Sequence, residues 1–109
     1  MDALKLAKKI LKQQSEHLEK AAASLGQPFR DALKRIEGCD GTVLVLGFGK
    51  SGSVGAKLAA TLRGAGRPAM AMSPLDALHG DMASVQPGDV ALAVSSSGES
   101  EELMKVAPW

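Results

Sequence analysis

A short apolar run that leads into a glycine-rich turn constrains the fold of this chain more than any other feature. Residues Thr42–Leu46 are all β-branched or leucine, which is typical of a strand covered on both faces in a parallel sheet. The turn Gly47-Phe-Gly-Lys-Ser-Gly52 follows, and apolar residues then recur at helical spacing from Val54 to Leu62. A strand, a glycine turn and a helix start direct backbone N–H groups, the positive end of the helix dipole and Lys50 toward an anion.

A second apolar run leads into a loop that is rich in hydroxyl groups. Val90–Val94 follows the turn at Pro87-Gly88 and opens into Ser95-Ser-Ser-Gly-Glu-Ser100, after which Glu101–Met104 begins a helix. Open α/β sheets bind their ligands at the edge where the carboxyl ends of parallel strands meet. We therefore expect this serine loop, residues 95–100, to lie close to the Gly47–Gly52 turn.

The order of the predicted elements defines the fold class. A helix over residues 2–25 and a second from Pro28 to about Glu37 precede three strands, at 42–46, 69–72 and 90–94, which alternate with helices that end near Arg63 and Leu78. We predict an α/β protein with a three-layer, flavodoxin-like parallel sheet that stops after its third strand, preceded by two N-terminal helices.

The first helix carries a stripe of leucines at every seventh residue. These residues are Leu4, Leu11, Leu18 and Leu25, and they face either the rest of their own domain or a helix of a second subunit. Together with the uncovered edge of a three-stranded sheet, the stripe favours a homo-oligomer, a dimer or a tetramer, over a lone monomer.

Composition excludes several classes of function. The net charge of +1 gives no basis for binding nucleic acid or an anionic membrane, and no apolar run approaches the ~20 residues that span a bilayer. The single cysteine, Cys39, cannot form an internal disulfide, so a cytoplasmic location is expected. Because His17 and His79 lie far apart in the sequence, we expect no metal site.

Two nucleotide-binding motifs match the glycine turn only in part. The turn has the G-x-G-x-x-G spacing of a dinucleotide fingerprint, but no acidic residue that would hold a ribose follows the second strand until Asp76. The same turn contains Gly-Lys-Ser, as a nucleotide P-loop does, but that motif requires a glycine where this chain has Leu44. Binding of a dinucleotide is therefore a weaker alternative to binding of a phosphate.

A phosphate monoester fits the two loops better, because it needs several donors around its oxygens. Backbone N–H groups and hydroxyls supply these donors, whereas helix capping alone would account for only one or two of the serines. The expected phosphate-binding residues are Gly49, Ser51, Ser95, Ser96, Ser97 and Ser100.

Charged side chains near the two loops have the chemistry of proton transfer. Lys50 is expected to polarise or orient a sugar oxygen, or else to pair with a glutamate of the serine loop. Glu99, Glu101 and Glu102 lie where negative charge complements a helix dipole, which suffices to explain two of the three. The remaining carboxylate is a candidate general base that moves a proton between neighbouring carbons.

Taken together, these segments resemble the sugar isomerase (SIS) domain, and within it the arabinose 5-phosphate isomerase branch. The resemblance covers about residues 40 to 106. Its segments, in order, are the Gly47–Gly52 turn, Ala59-Ala-Thr-Leu62, Ser73-Pro74, His79-Gly-Asp81 and the serine loop. The serine loop is typical of SIS domains in general, whereas the Gly-Lys-Ser-Gly turn with His-Gly-Asp is more specific to the branch.

The resemblance implies interconversion of D-ribulose 5-phosphate and D-arabinose 5-phosphate through an enediol. It implies no redox cofactor, and it implies the first step toward the Kdo sugar of lipopolysaccharide. By position, Ser51, Ser95, Ser97 and Ser100 match phosphate-binding residues of the branch, Lys50 and Glu102 match catalytic residues, and His79 and Glu99 are expected near the site.

This chain also departs from the branch that it resembles. The SIS domain of the family continues for about as long again, with a further acid and a histidine, so we expect residues 39–109 to be the first half of such a domain after a helical segment, residues 1–38. Relatives carry His-Ile where this chain has Ser53-Val54. With an incomplete catalytic set, the chain alone is expected to be a poor isomerase, and a non-catalytic sugar-phosphate-binding module is the alternative.

Overall fold

The computed structural model describes residues 2–78 and 81–96 of the 109-residue chain. Over these residues the α-helices and strands follow the order of the sequence prediction, and a short 3₁₀ turn lies between the last described helix and the third strand. The helices are α1 (Ala3–Ser24), α2 (Gln27–Glu37), α3 (Lys50–Gly64) and α4 (Pro74–Leu78), the 3₁₀ turn is Asp81–Ser84, and the strands are β1 (Val43–Gly47), β2 (Ala69–Met72) and β3 (Val90–Val94).

β1 is the central strand of a parallel sheet with the order β2-β1-β3. Val43 pairs with Ala69 on one side and with Val90 on the other, and Gly47 pairs with Val94 where β1 and β3 end. All five residues of β1 are buried, as expected of a strand covered on both faces. The chain runs outward from β1 to β2 and then returns past β1 to β3, which is the flavodoxin-like order that the sequence predicts.

The side chains of β1 alternate between two apolar clusters, one on each face of the sheet. The cluster on the α3 face contains the buried residues Cys39, Val43, Val45, Ala59 and Ala69, and the cluster on the α4 face contains Leu44, Leu46, Met72 and Ala77. Gly55 lets α3 pack closely on β1, because a Cβ at this position would lie 3.0 Å from Cγ1 of Val45. Helices therefore cover both faces of β1, as a three-layer fold requires.

The chain divides into two units, Met1–Lys34 and Arg35–Trp109, and the first contains α1. α1 begins after Asp2, whose carboxylate accepts the backbone N–H of Leu4 at 3.3 Å and caps the helix. No residue of α1 is buried, and Leu11 and Leu18 of the leucine stripe are 70% and 71% exposed. The stripe is a surface feature of this chain, and its contact with a second subunit stays a prediction.

No helix in the part of the chain that the structure describes is both long and apolar enough to cross a membrane.

Asp89 joins the amino-terminal ends of β1 and β3. Its carboxylate accepts the backbone N–H of Thr42 and that of Gln86, each at 2.8 Å. The hydrogen bond from Thr42, and after it the one from Gln86, favours the ionised carboxylate and lowers the pKa of Asp89. Because β1 and β3 are paired in register from this end, the contact supports the pairing that brings Gly47 beside Val94 at the other end.

Two details differ from the sequence prediction. α3 begins at Lys50, inside the segment predicted as a loop through Gly52, because Gly49 has a φ of 59° and turns the chain directly into the helix. The connection before β3 contains the 3₁₀ turn, which was not predicted.

The expected cap of α4 is present, since the hydroxyl of Ser73 accepts the backbone N–H of Leu75 at 3.2 Å. The helix expected after residue 100 lies outside the described residues.

We predict that Asp89→Asn lowers the stability of the fold, because the amide cannot accept both backbone N–H groups. The pKa of Asp89 is lower in the folded chain than in the unfolded chain, where it is about 3.9. The stabilisation is therefore complete above the unfolded pKa and is lost as the pH falls through the folded pKa. In thermal melts followed by circular dichroism, the gap in Tm between wild type and variant should be largest near neutral pH and should narrow below about pH 4.

Asp40→Asn is the matched control for this experiment, because Asp40 is an exposed aspartate in the turn that leads into β1. It should change Tm little at any pH. A gap for Asp89→Asn that stays constant on acidification would contradict the role of the ionised carboxylate.

Candidate functional site

The turn after β1 presents the N-terminus of α3 at the carboxyl edge of the sheet. Gly49 is the N-cap of α3, and no side chain caps the helix by a hydrogen bond. The first turn of α3 also contains no acidic residue. Within the described chain, the usual capping groups therefore do not satisfy the first N–H groups of the helix or offset its partial positive charge.

The turn is tight because its glycines bring two backbone segments into contact. A Cβ at Gly47 would lie 2.6 Å from the carbonyl oxygen of Ser51 and 2.8 Å from the nitrogen of Gly52. Real Cβ atoms do not approach backbone so closely, so a side chain at this position would push α3 away from the end of β1. The glycines thus hold the helix N-terminus directly against the strand.

The serine loop leaves the sheet beside this turn. β1 and β3 are adjacent, parallel and in register through Gly47 and Val94, and neighbouring strands lie about 4.8 Å apart. Ser95, which is half-buried, and Ser96, which is exposed, follow directly after β3. The two loops that the sequence predicts to be neighbours therefore do start from neighbouring strand ends at one edge.

The structure describes five of the predicted site residues. Gly49 caps α3, the exposed Lys50 and the half-buried Ser51 lie in its first turn, and Ser95 and Ser96 follow β3. Lys50 forms no ion pair with another described residue. The glutamates of the serine loop lie outside the described residues, so its expected pairing with one of them stays a prediction. The other predicted residues, His79, Ser97, Glu99, Ser100 and Glu102, lie outside the described residues, and their roles stay predictions.

No group of three histidine, cysteine, aspartate or glutamate side chains within residues 2–78 and 81–96 is arranged to hold a metal ion. The functional groups that the described site offers are backbone N–H groups, hydroxyls and one ammonium group. These groups bind an anion with several oxygen atoms.

A cleft of about 390 Å³ opens on the other side of the turn, toward β2. It is lined by Gly47, Phe48, Gly49, Gly52, Ser53, Ala56, Ala71, Met72 and Ser73. This cleft was not predicted from the amino-acid sequence, although one signal for it was present. Ser73 follows β2 just as Ser95 follows β3, so the rule that located the serine loop also applies to Ser73.

The family profile of the SIS domain matches residues 37–108 of this chain. The chain belongs to the SIS domain family. It is 38% identical over 108 residues to the arabinose 5-phosphate isomerase KdsD of Yersinia pestis, in an alignment that covers 99% of this chain and 33% of the relative. The chain thus spans about a third of the length of the curated relatives that it matches.

Two solved structures share the fold of this SIS chain. The protein c3406 of Escherichia coli CFT073, in complex with arabinose 5-phosphate, has a TM-score of 0.81 and 32% sequence identity, and the match covers 99% of this chain and 59% of that one. A candidate sugar-phosphate isomerase of Listeria monocytogenes has a TM-score of 0.82 and 26% identity, with the same coverage of 99% and 59%.

We predict that Gly47→Ala destabilises this SIS chain by about 1–3 kcal/mol, because the new methyl group meets backbone atoms that cannot move aside independently. Gly64→Ala is the control, since a Cβ at Gly64, near the end of α3, meets nothing within 4 Å. The control should be neutral or stabilising by up to about 1 kcal/mol, because alanine favours helix more than glycine does. Urea denaturation measures both changes, and equal stability of the two variants would contradict the tight-turn account.

Proposed function

We propose that this chain is part of a sugar-phosphate aldose–ketose isomerase that interconverts D-ribulose 5-phosphate and D-arabinose 5-phosphate. The observation that carries the proposal is the uncapped N-terminus of α3, with Lys50 in its first turn, beside the first serines of the loop after β3. Membership of the SIS family supports it, as do a similar protein named arabinose 5-phosphate isomerase and a similar structure in complex with arabinose 5-phosphate.

In this proposal the phosphoryl group is bound between the two loops. Backbone N–H groups at the start of α3 and the hydroxyl of Ser51 contact it from one side. Serine hydroxyls contact it from the other side, and the proposed set is Ser95, Ser96, Ser97 and Ser100. The first turn of α3 lacks an acidic side chain. In its place the bound anion would accept hydrogen bonds from the first N–H groups of the helix and offset the partial positive charge there.

The isomerisation itself moves a proton between neighbouring carbons through an enediol. An aldose and its ketose have the same composition, so the overall reaction needs no net oxidant or reductant. We propose that the carboxylate of Glu102 is the general base for this transfer and that Lys50 orients a sugar oxygen. His79 and Glu99 are proposed to lie near the site.

The wider setting of the protein is also part of the proposal. We propose that residues 39–109 are the first half of a SIS sugar-phosphate-binding domain that follows a helical segment, residues 1–38. We further propose a cytoplasmic enzyme that supplies arabinose 5-phosphate for the Kdo sugar of lipopolysaccharide. The exposed leucine stripe of α1 supports a homo-oligomer, since four leucines at heptad spacing fit a partner helix.

Replacement of Lys50 tests the proposed contact between its ammonium group and a sugar oxygen. Lys50→Met shortens the side chain by one heavy atom and removes its charge. It should weaken binding of D-arabinose 5-phosphate about tenfold, because hydrogen bonds to charged groups are the stronger ones. The matched control is Lys57→Met, which removes an exposed lysine elsewhere on α3 and should change affinity less than about twofold. Isothermal titration calorimetry at two salt concentrations measures both variants, and equal losses for the two would contradict a specific role for Lys50.

Exchange of the C2 proton of the sugar phosphate with solvent separates an isomerase from a binding module. If the chain is an isomerase, even a poor one, we expect NMR to detect slow exchange in D₂O that is still above the rate in buffer. Glu102→Gln should abolish this exchange, while Glu101→Gln should retain it. The affinity for the sugar phosphate should change little in either variant. Binding without exchange in the wild type would favour the alternative, a non-catalytic sugar-phosphate-binding SIS module.

A further inference from the structure

The cleft beside the glycine turn has room for more than a phosphoryl group. Its volume of about 390 Å³ corresponds to roughly a dozen water molecules at about 30 Å³ each. It extends from the turn toward Ala71 and Ser73 at the end of β2, whereas Ser95 follows β3 on the opposite side of β1. A phosphoryl group held between the turn and Ser95 would therefore leave this cleft open to the remainder of its ligand.

Phe48 is the aromatic residue among those that line the cleft. Phe48 is 51% exposed. It lies between Gly47 and Gly49, and the conformation of each glycine is restricted by the turn. Gly47 touches the backbone of Ser51 and Gly52, and Gly49 has a φ of 59° that other residues rarely adopt. Phe48 thus lines the cleft and is not buried in either apolar cluster, where an aromatic side chain would contribute more to stability.

Ser53 supplies a hydroxyl group to the same cleft. It lies one turn into α3, and its backbone N–H donates to the carbonyl of Gly49 at 3.2 Å. Its side chain forms no hydrogen bond with any other residue among those described. The hydroxyl of Ser73, by contrast, already accepts the N–H of Leu75 as the cap of α4. The hydroxyl of Ser53 can therefore both donate to and accept from a ligand, whereas one acceptor position of the Ser73 hydroxyl is already in use.

An apolar ring and a hydroxyl on one cleft match the two kinds of surface on a sugar carbon chain. C–H groups of a sugar pack on an aromatic face, and its hydroxyls need hydrogen-bond partners. We infer that the cleft on the β2 side of the turn holds the carbon chain of the sugar phosphate, with Phe48 and Ser53 as the residues that select it over inorganic phosphate. This inference rests on the proposed function, and it assigns to Phe48 and Ser53 a role in specificity that neither the glycine-turn motif nor the serine loop supplies.

Affinities for two probes test the inference directly. D-Arabinose 5-phosphate and inorganic phosphate are titrated separately into the wild-type chain, into Phe48→Ala and into Ser53→Ala. Phe48→Ala should weaken binding of the sugar phosphate about three- to tenfold, and Ser53→Ala should weaken it about two- to tenfold. Both variants should bind inorganic phosphate within about twofold of the wild type, because the backbone of the turn is unchanged.

Val54→Ala is the matched control, because Val54 is adjacent to Ser53 on α3, is 59% exposed and does not line the cleft. It should leave both affinities unchanged, and circular dichroism verifies that each variant is folded. If the wild type binds the sugar phosphate and both cleft variants bind it equally well, or lose affinity for inorganic phosphate to the same extent, the inference is wrong. If the wild type binds no sugar phosphate at all, the proposed function itself fails, and with it this inference.

Discussion

The contact between the end of β1 and the first turn of α3 determines the geometry of the whole carboxyl edge. The backbone of Gly47 packs directly against the backbone of Ser51 and Gly52, and neither glycine has room for a Cβ. A Cβ at Gly52, for example, would lie 2.9 Å from the carbonyl oxygen of Gly47. Because no side chain separates the two segments, the helix N-terminus lies immediately at the strand end. Its N–H groups and partial charge are thereby directed to the edge from which β3 also leaves.

Burial of β1 makes this contact rigid. The strand is central in the sheet and is covered by an apolar cluster on each face, so it cannot shift relative to α3 without opening both clusters. At the opposite edge, Asp89 accepts backbone N–H groups of Thr42 and Gln86 and supports the pairing of β1 with β3. The site at the carboxyl ends of β1 and β3 therefore depends on the hydrogen bonds of Asp89 at their amino-terminal ends, because the two strands keep one register along their whole length.

The elements that could be predicted from the sequence are those with a strong local signal. The apolar runs at 42–46 and 90–94 predicted two strands, of which β1 is fully buried and β3 alternates between half-buried and exposed residues. Ser73 before Pro74 predicted the start of α4. The start of α3 was predicted three residues late, because it depends on the φ that Gly49 adopts, which residue types alone do not specify. The cleft toward β2 was not predicted, because Phe48 and Ala71 are far apart in the sequence and line one cleft only in the folded chain. The glycine turn and the start of the serine loop were predicted correctly as neighbours, and the contributions of Ser97, Ser100 and Glu102 stay predictions.

The central claim is that one phosphoryl group is shared by the turn after β1 and the loop after β3. A crystal structure of the 109-residue chain with D-arabinose 5-phosphate tests it most directly. The account predicts phosphoryl oxygens within about 3.2 Å of backbone nitrogens in the Gly49–Gly52 turn and, at the same time, of serine hydroxyls that follow β3. A phosphoryl group that contacts only one of these loops, or binds elsewhere on the chain, would contradict it.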